Sequence, residues 1–394
     1  MSQNLFGFIA KLFCLFAIFS FLGCQRSDAG KKASEGFSQR AIVVSVSSDG
    51  RHALSSHQDH RLVLWDLESR TKATISDQSN IYSAYFIKGT DTFIWQDLDD
   101  VVHVQRSTGE TVKTFSHFPT YGHVMGKDLK TYFSSDQDWN IFSGFGKEMK
   151  TVKQDGNSPN FFSGKLLNLS LLEENSILLS AGDGQKESDN NPIKKSSPIN
   201  PESRFSYYAG VVLWSTTTMN PIAKLAGNTS KTHASVSPDG KYVVTGSENG
   251  VGFVWQLAKP ESEPQTAGNP GLGIRTAIGW DNTGGISLPP DFDGGHHGSI
   301  LGHYFVDCLH YIRIYTYEPY AFFYDVNNPL PLKYFPLGQD PFPSVSDYSR
   351  NAAIDTAPEA GILVTGQRDG GGIIVYKYDS AAQTLKKVWV ADRD

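Results

Sequence analysis

A repeating unit constrains this chain more than any other feature. Residues 41–76 read "AIVVSVSSDGRHALSSHQDHRLVLWDLESRTKATIS" and divide into four apolar runs, 41–47, 51–57, 61–67 and 71–76. Between the runs lie Ser-Asp-Gly at 48–50, Gln-Asp-His at 58–60 and Glu-Ser-Arg at 68–70. Alternating runs broken by such turn residues predict a four-stranded antiparallel meander. The unit returns at 81–117, from about 121 to 154, and near 165–171, 176–181, 209–216 and 220–226. It returns again from about 231 with "ASVSPDGKYVVTGSENGVGFVWQL", then with "EPYAFFYDVNN" and "ILVTGQRDGGGIIVYKYD". Starts near 41, 81 and 121 set a forty-residue period, which later insertions stretch. A fixed period of this size marks a repeat architecture, because one small sheet cannot bury both of its faces alone.

Each unit places an acidic or amide turn residue ahead of an apolar strand that ends in an aromatic. Six residues separate Asp59 from Trp65, Asn249 from Trp255 and Glu318 from Tyr324, while Asp369 and Tyr376 are seven apart. Asp183 and Trp214 correspond across a long insertion, and Asp99 and Asp138 mark the turn where Gln105 and Gly144 replace the aromatic. The aromatics are expected to pack on the neighbouring sheet, and the turn carboxylates to hold backbone amides.

This recurrence resembles the WD-repeat β-propeller family over nearly all of residues 39–394. The resemblance implies an all-β fold, a seven-bladed WD-type propeller of four-stranded antiparallel blades. The family's Gly-His pair is displaced here: Gly122-His123 and Gly302-His303 lie only 15 residues before Asp138 and Glu318, inside expected first strands. The hydrogen-bonded tetrad of well-formed members is therefore expected to be incomplete. "TLKKVWVA", 384–391, reads as the last blade's own outer strand, which leaves open how the ring closes and whether the count differs from seven by one.

The N-terminus is a separate segment. A start containing Lys11 precedes an apolar run, Leu12 to Gly23, then Cys24. That run is shorter than the roughly 20 residues of a spanning helix and suits the apolar region of an export signal. The ending "FLGC" resembles the lipobox of bacterial lipoproteins, with Gly23 in place and Phe21 and Leu22 bulkier than that motif's usual residues. The resemblance implies a signal peptide over 1–23, lipid attachment at Cys24 and a polar tether over 24–38; a simple signal peptide or uncleaved anchor is the alternative. Cys14 would leave with the signal, so Cys308 alone remains as a thiol and no internal disulfide forms. Gln25 is not the aspartate that resembles inner-membrane retention, which points to the outer membrane if the cell is Gram-negative.

Two insertions interrupt the period, at 184–205 within unit four and at 281–299 between units five and six, where "GIRTAIGW" (273–280) completes unit five. Strand two-to-three turns and blade-to-blade connections share one propeller face, so both insertions are expected on that face as a binding surface, since binding residues concentrate on loops. Asp291, Asp293, His296 and His297 in "DFDGGHHG" have the chemistry of transition-metal ligands, although paired histidines among glycines are common in plain loops. Net charge is −6, without the basic footprint that nucleic acid requires. There is no Gly-x-Ser-x-Gly elbow or phosphate loop, and "GQRDGGGI" (366–373) falls in a turn between strands. No cofactor is expected. The expectation is a lipid-anchored scaffold for other envelope proteins, without catalysis. An envelope hydrolase or a metal- or small-ligand-binding propeller is the alternative.

Overall fold

The computed structural model describes residues 40–393 except 119–121, 136–139, 146–148, 152–161, 174–175, 187–207, 220, 227–231, 248–251, 258–272, 279–299, 316–318, 329, 338–352 and 368–370. It is a seven-bladed β-propeller, and each blade is a four-stranded antiparallel meander in chain order. Blade 1 comprises β1 (Ala41–Val46), β2 (His52–His57), β3 (Leu62–Asp66) and β4 (Thr71–Ser76). Blade 2 comprises β5 (Tyr85–Phe86), β6 (Thr92–Gln96), β7 (Val101–Arg106) and β8 (Thr111–Ser116). Blade 3 comprises β9 (Gly122–Met125), β10 (Tyr132–Ser135), β11 (Ile141–Ser143) and β12 (Lys150–Thr151). Blade 4 comprises β13 (Phe162–Leu172), β14 (Ile177–Lys186), β15 (Tyr208–Ser215) and β16 (Pro221–Ala226). Blade 5 comprises β17 (Thr232–Val236), β18 (Tyr242–Ser247), β19 (Gly252–Gln256) and β20 (Gly273–Ile278). Blade 6 comprises β21 (Ile300–Phe305), β22 (His310–Tyr315), β23 (Tyr320–Asp325) and β24 (Lys333–Pro336). Blade 7 comprises β25 (Ile354–Ala357), β26 (Ile362–Gly366), β27 (Ile373–Asp379) and β28 (Thr384–Ala391).

The apolar interior is divided among the interfaces. Each of the seven buried clusters draws on two consecutive blades, as where Phe133 and Ile141 of blade 3 meet Leu178, Val212 and Trp214 of blade 4. Alternation along second and third strands explains this, because adjacent residues face opposite neighbours and both faces are apolar. Turn chemistry sets the ends. In "SSDG" and "SPDG" the hydroxyls of Ser47 and Ser237 donate to Asp49 and Asp239 at 2.7 Å in both cases. The same hydroxyls accept the amides of His52 and Tyr242 at 2.9 Å. Gly50 and Gly240 then turn the chain at φ of 70° and 69°, where a side chain is strained.

The ring closes through side chains. β28 is blade 7's own outer strand, as expected, and blade 7 packs on blade 1 through Val364, Ile373 and Val375 against Val44, Val63 and Trp65. Trp389 of β28 meets Trp65 edge to face at 6.2 Å. Beyond β28, the buried Arg393 donates to the Asp59 carboxylate at 2.7 Å, and Lys72 donates to the carbonyls of Asp392 and Arg393. Near the axis the Asp355 carboxylate accepts the Val46 amide at 2.8 Å, as the Ser45 hydroxyl accepts Phe86 N at 3.0 Å one interface on.

Two predictions follow from the seam. Arg393→Ala leaves the Asp59 carboxylate without its near-buried partner and is expected to cost about 2 kcal/mol, a discounted figure because Asp59 is partly exposed; chemical denaturation measures it. Burial pushes the Asp355 carboxyl up to about 6 despite the amides that it accepts. A group raised in the folded state contributes stability below its unfolded pKa that is lost as pH rises through the folded value. Thermal stability is therefore expected to fall between about pH 4 and 7, and Asp355→Asn to flatten that slope.

Candidate interaction faces

Two faces follow from the meander. One carries the turns between first and second and between third and fourth strands. The other carries the second-to-third turns and the connections between blades. On the first face the carboxylates are engaged in turns. Asp66 accepts the amides of Glu68 and Ser69 at 3.0 and 2.8 Å, and Asp128 those of Lys130 and Thr131 at 2.9 Å each. The Ser69 amide above all holds Asp66 below the usual carboxylate range. Asp307 accepts the His310 amide at 2.7 Å and faces its ring Nδ1 at 2.9 Å, while the exposed thiol of Cys308 stands beside it.

The second face is where the insertions arise. The β14–β15 turn belongs to blade 4 and the β20–β21 connection joins blades 5 and 6, so the strand ends send both toward one side of the ring. The first insertion is shorter than the sequence suggests, because residues 184–186 extend β14 and pair with β13 and β15. Asp183 accordingly lies within β14 rather than in a turn. Blade 2 also corrects the expected turn acid. Asp97, not Asp99, accepts the amides of Asp99 and Val101 at 3.0 and 2.9 Å, and its other oxygen meets His103 Nε2 at 2.7 Å. Despite burial, that histidine holds Asp97 below its ordinary value. Asp59 accepts the amide of Arg61 at 3.4 Å, besides holding Arg393. Asp138, Asn249, Glu318 and Asp369 lie outside the described residues, as do Cys24 and the candidate ligands Asp291, Asp293, His296 and His297. Among the described residues no three His, Cys, Asp or Glu side chains are grouped to hold a metal.

The expected aromatics lie at the blade interfaces. Trp65, Trp214, Trp255, Tyr324 and Tyr376 are buried against the preceding blade. Their partners form a column that the spacing argument missed. Trp65 Nε1 donates to Ser55 at 2.7 Å, Trp214 Nε1 to Ser180 at 2.8 Å and Trp255 Nε1 to Thr245 at 3.1 Å. Ser55 passes the contact on to His57 Nε2 at 2.8 Å. In blade 2 the pair has exchanged strands: Trp95 of β6 donates to Gln105 of β7 at 2.9 Å. In blade 3 the column serine, Ser134, meets His117 at 2.9 Å, and Tyr132 fills the room left by Gly144. The signal was present in the third residue of "ALSSH", "YFSSD", "LLSAG", "VVTGS" and "LVTGQ". Gly122-His123 and Gly302-His303 lie in first strands, as read. His123 bridges to the blade 2 carbonyl of Ser83 at 2.6 Å, and burial holds its pKa down at about 4.

With this geometry in place, a family model described as "WD domain, G-beta repeat" matches residues 219–256. The match starts just ahead of the outer strand of blade 4 and ends on the third strand of blade 5, at Trp255 and its neighbour Gln256. The chain is a seven-bladed β-propeller with a WD repeat over residues 219–256. Among solved structures, it is similar to the β-propeller domain of Cps50 (Swd1) from Myceliophteria thermophila, at 9% identity and a TM-score of 0.62. The alignment covers 86% of this chain and 97% of that one. No curated protein matches the sequence. WD-repeat propellers are commonly protein-interaction scaffolds and generally lack catalysis.

Removing one indole donor tests the column. Trp214→Phe keeps most of the ring contact but leaves the buried Ser180 hydroxyl without its donor. The expected loss is about 1–3 kcal/mol, read by urea denaturation, and Ser180→Ala in the same background is expected to recover part of it.

Proposed function

We propose that this chain is a lipid-anchored propeller of the bacterial envelope, held by Cys24 in a membrane (the outer one if the cell is Gram-negative), that gathers other envelope proteins and performs no catalysis. The observation that carries the scaffold reading is topological. A ring of seven four-stranded sheets places the ends of β14 and β20 and the starts of β15 and β21, which bound the two insertions, on one side in blades 4 to 6. Loops on a rigid frame supply variable contact surface while the frame fixes their spacing. On the described surface, the turn carboxylates of Asp49, Asp66, Asp97, Asp128 and Asp239 accept local amides, which suits structure rather than acid–base chemistry. The "FLGC" ending supports the anchor.

Crosslinking in intact cells with mass spectrometry tests the scaffold, comparing wild type with a variant lacking 187–205, which leaves β14 and β15 whole. A stoichiometric partner lost on excision is expected; partners unchanged by excision would move the binding surface elsewhere. For the anchor, Cys24→Ala is expected to abolish labelling by a fatty-acid probe and to shift the protein out of the membrane fraction. Continued labelling would exclude that residue as the attachment point.

A further inference from the structure

Blade 6 breaks the hydroxyl column with a charge. Arg313 stands where blades 1, 4, 5 and 7 carry Ser55, Ser180, Thr245 and Thr365, and it is 0% exposed. Its Nε donates to His303 Nε2 at 3.1 Å and its Nη1 to the Tyr315 hydroxyl at 3.2 Å. Among the described residues its Nη2 meets no acceptor in hydrogen-bond geometry. No carboxylate among the described residues pairs with it; its guanidinium lies over the rings of Tyr324 at 4.7 Å and Tyr315 at 5.8 Å. A guanidinium stays protonated in proteins, so a full positive charge is enclosed here. A desolvated cation–π contact offsets only part of what burying an ion costs. The chemistry at this position is that of half an ion pair.

His303 extends the donor set. Burial, then the neighbouring Arg313, hold its pKa well below the ordinary value, so the ring is neutral. Because Nε2 accepts from Arg313, the remaining proton belongs on Nδ1, and that atom also reaches no partner among the described residues. The two side chains abut one spot on blade 5. A Cβ on Gly252 would lie 2.9 Å from Arg313 Nη2, and one on Gly246 would lie 2.3 Å from His303 Cε1. Gly246 and Gly252 face each other across β18 and β19, so both side chains need this glycine pair to approach the backbone.

We propose that Arg313 and His303, against the Gly246–Gly252 pair, form an inter-blade receptor for one compact monoanion, a carboxylate. The class follows from what is already engaged. With Nε and Nη1 occupied, the guanidinium offers one prong in place of the two-pronged fork that grips carboxylate and phosphate alike, so charge decides the class. One enclosed positive charge is neutralised by one negative charge, whereas a dianion would leave a net charge among the phenols of Tyr311, Tyr315 and Tyr324. The carboxylate comes either free, as a small acid, or on an acidic side chain of a bound segment. This inference is independent of the scaffold reading.

Sodium formate is the probe, titrated at constant ionic strength against the bulky sodium salt of morpholinoethanesulfonate. Wild type is expected to show a saturable rise in Tm of about 2 °C at ten times Kd, with broadening of the 13C-formate resonance. Arg313→Met is expected to lose both. Gly252→Ala, which keeps the cation but displaces it, is expected to weaken binding at least tenfold. A capped Gly-Glu-Gly peptide that competes formate away identifies a side-chain source; formate binding that it leaves unchanged identifies a free acid. A rise that never saturates, or equal responses in wild type and Arg313→Met, overturns the proposal. If neither variant folds, saturation and line broadening in wild type decide it alone.

Discussion

Everything in this ring depends on the contact between one sheet and the next. A blade has two apolar faces and no core of its own, so each buried cluster belongs to an interface. The indoles show how the work divides. Burying Trp65 or Trp214 removes roughly 200 Å² from water, about 5 kcal/mol at 25 cal/mol/Å². The Nε1 bond to Ser55 or Ser180 adds about 1 kcal/mol net. Packing therefore supplies the stability, and the hydrogen bond selects which way the ring lies. That division explains why blade 2 tolerates an exchange: Trp95 and Gln105 swap strands, yet the indole still fills the interface and still finds an acceptor.

The first strands add a second kind of adhesion. Ser45, His123, Asn168, Asp355 and Thr356 each reach a backbone group of a neighbouring blade, at 3.0, 2.6, 3.0, 2.8 and 2.7 Å. These polar residues near the axis thus serve the seams. The interface between blades 5 and 6 differs, since its Arg313 donates to an imidazole and a phenol and pairs with no carboxylate among the described residues.

Much of this was legible in the sequence because period and turn chemistry are local. The SDG and PDG turns, the strand at 273–278 and the outer strand at 384–391 all emerged where alternation placed them. The turn acids were less legible. Asp99 holds the expected spacing, but Asp97 starts the turn and so has its oxygens aimed at the following amides. Asp183 matched by type, yet β14 continues through it because pairing with Ala209 and Tyr208 extends the sheet past the expected turn. The hydroxyl column went unseen for a different reason. Ser and Thr in second strands look like ordinary strand residues until the facing indole is placed ten residues away or, in blade 4, thirty-four. The seam was illegible, since Arg393 and Asp59 are 334 residues apart.

That seam orders assembly in time. Six of the seven interfaces join blades that are neighbours in the chain, so each forms as soon as the next forty residues are made. Trp65 and Val63 are completed by residues 364–393, the last described part of the chain. Until those residues are made, blade 1 presents an uncovered tryptophan face. A nascent or truncated product is a curved stack with two adhesive ends, and its first competitor for closure is another copy of itself.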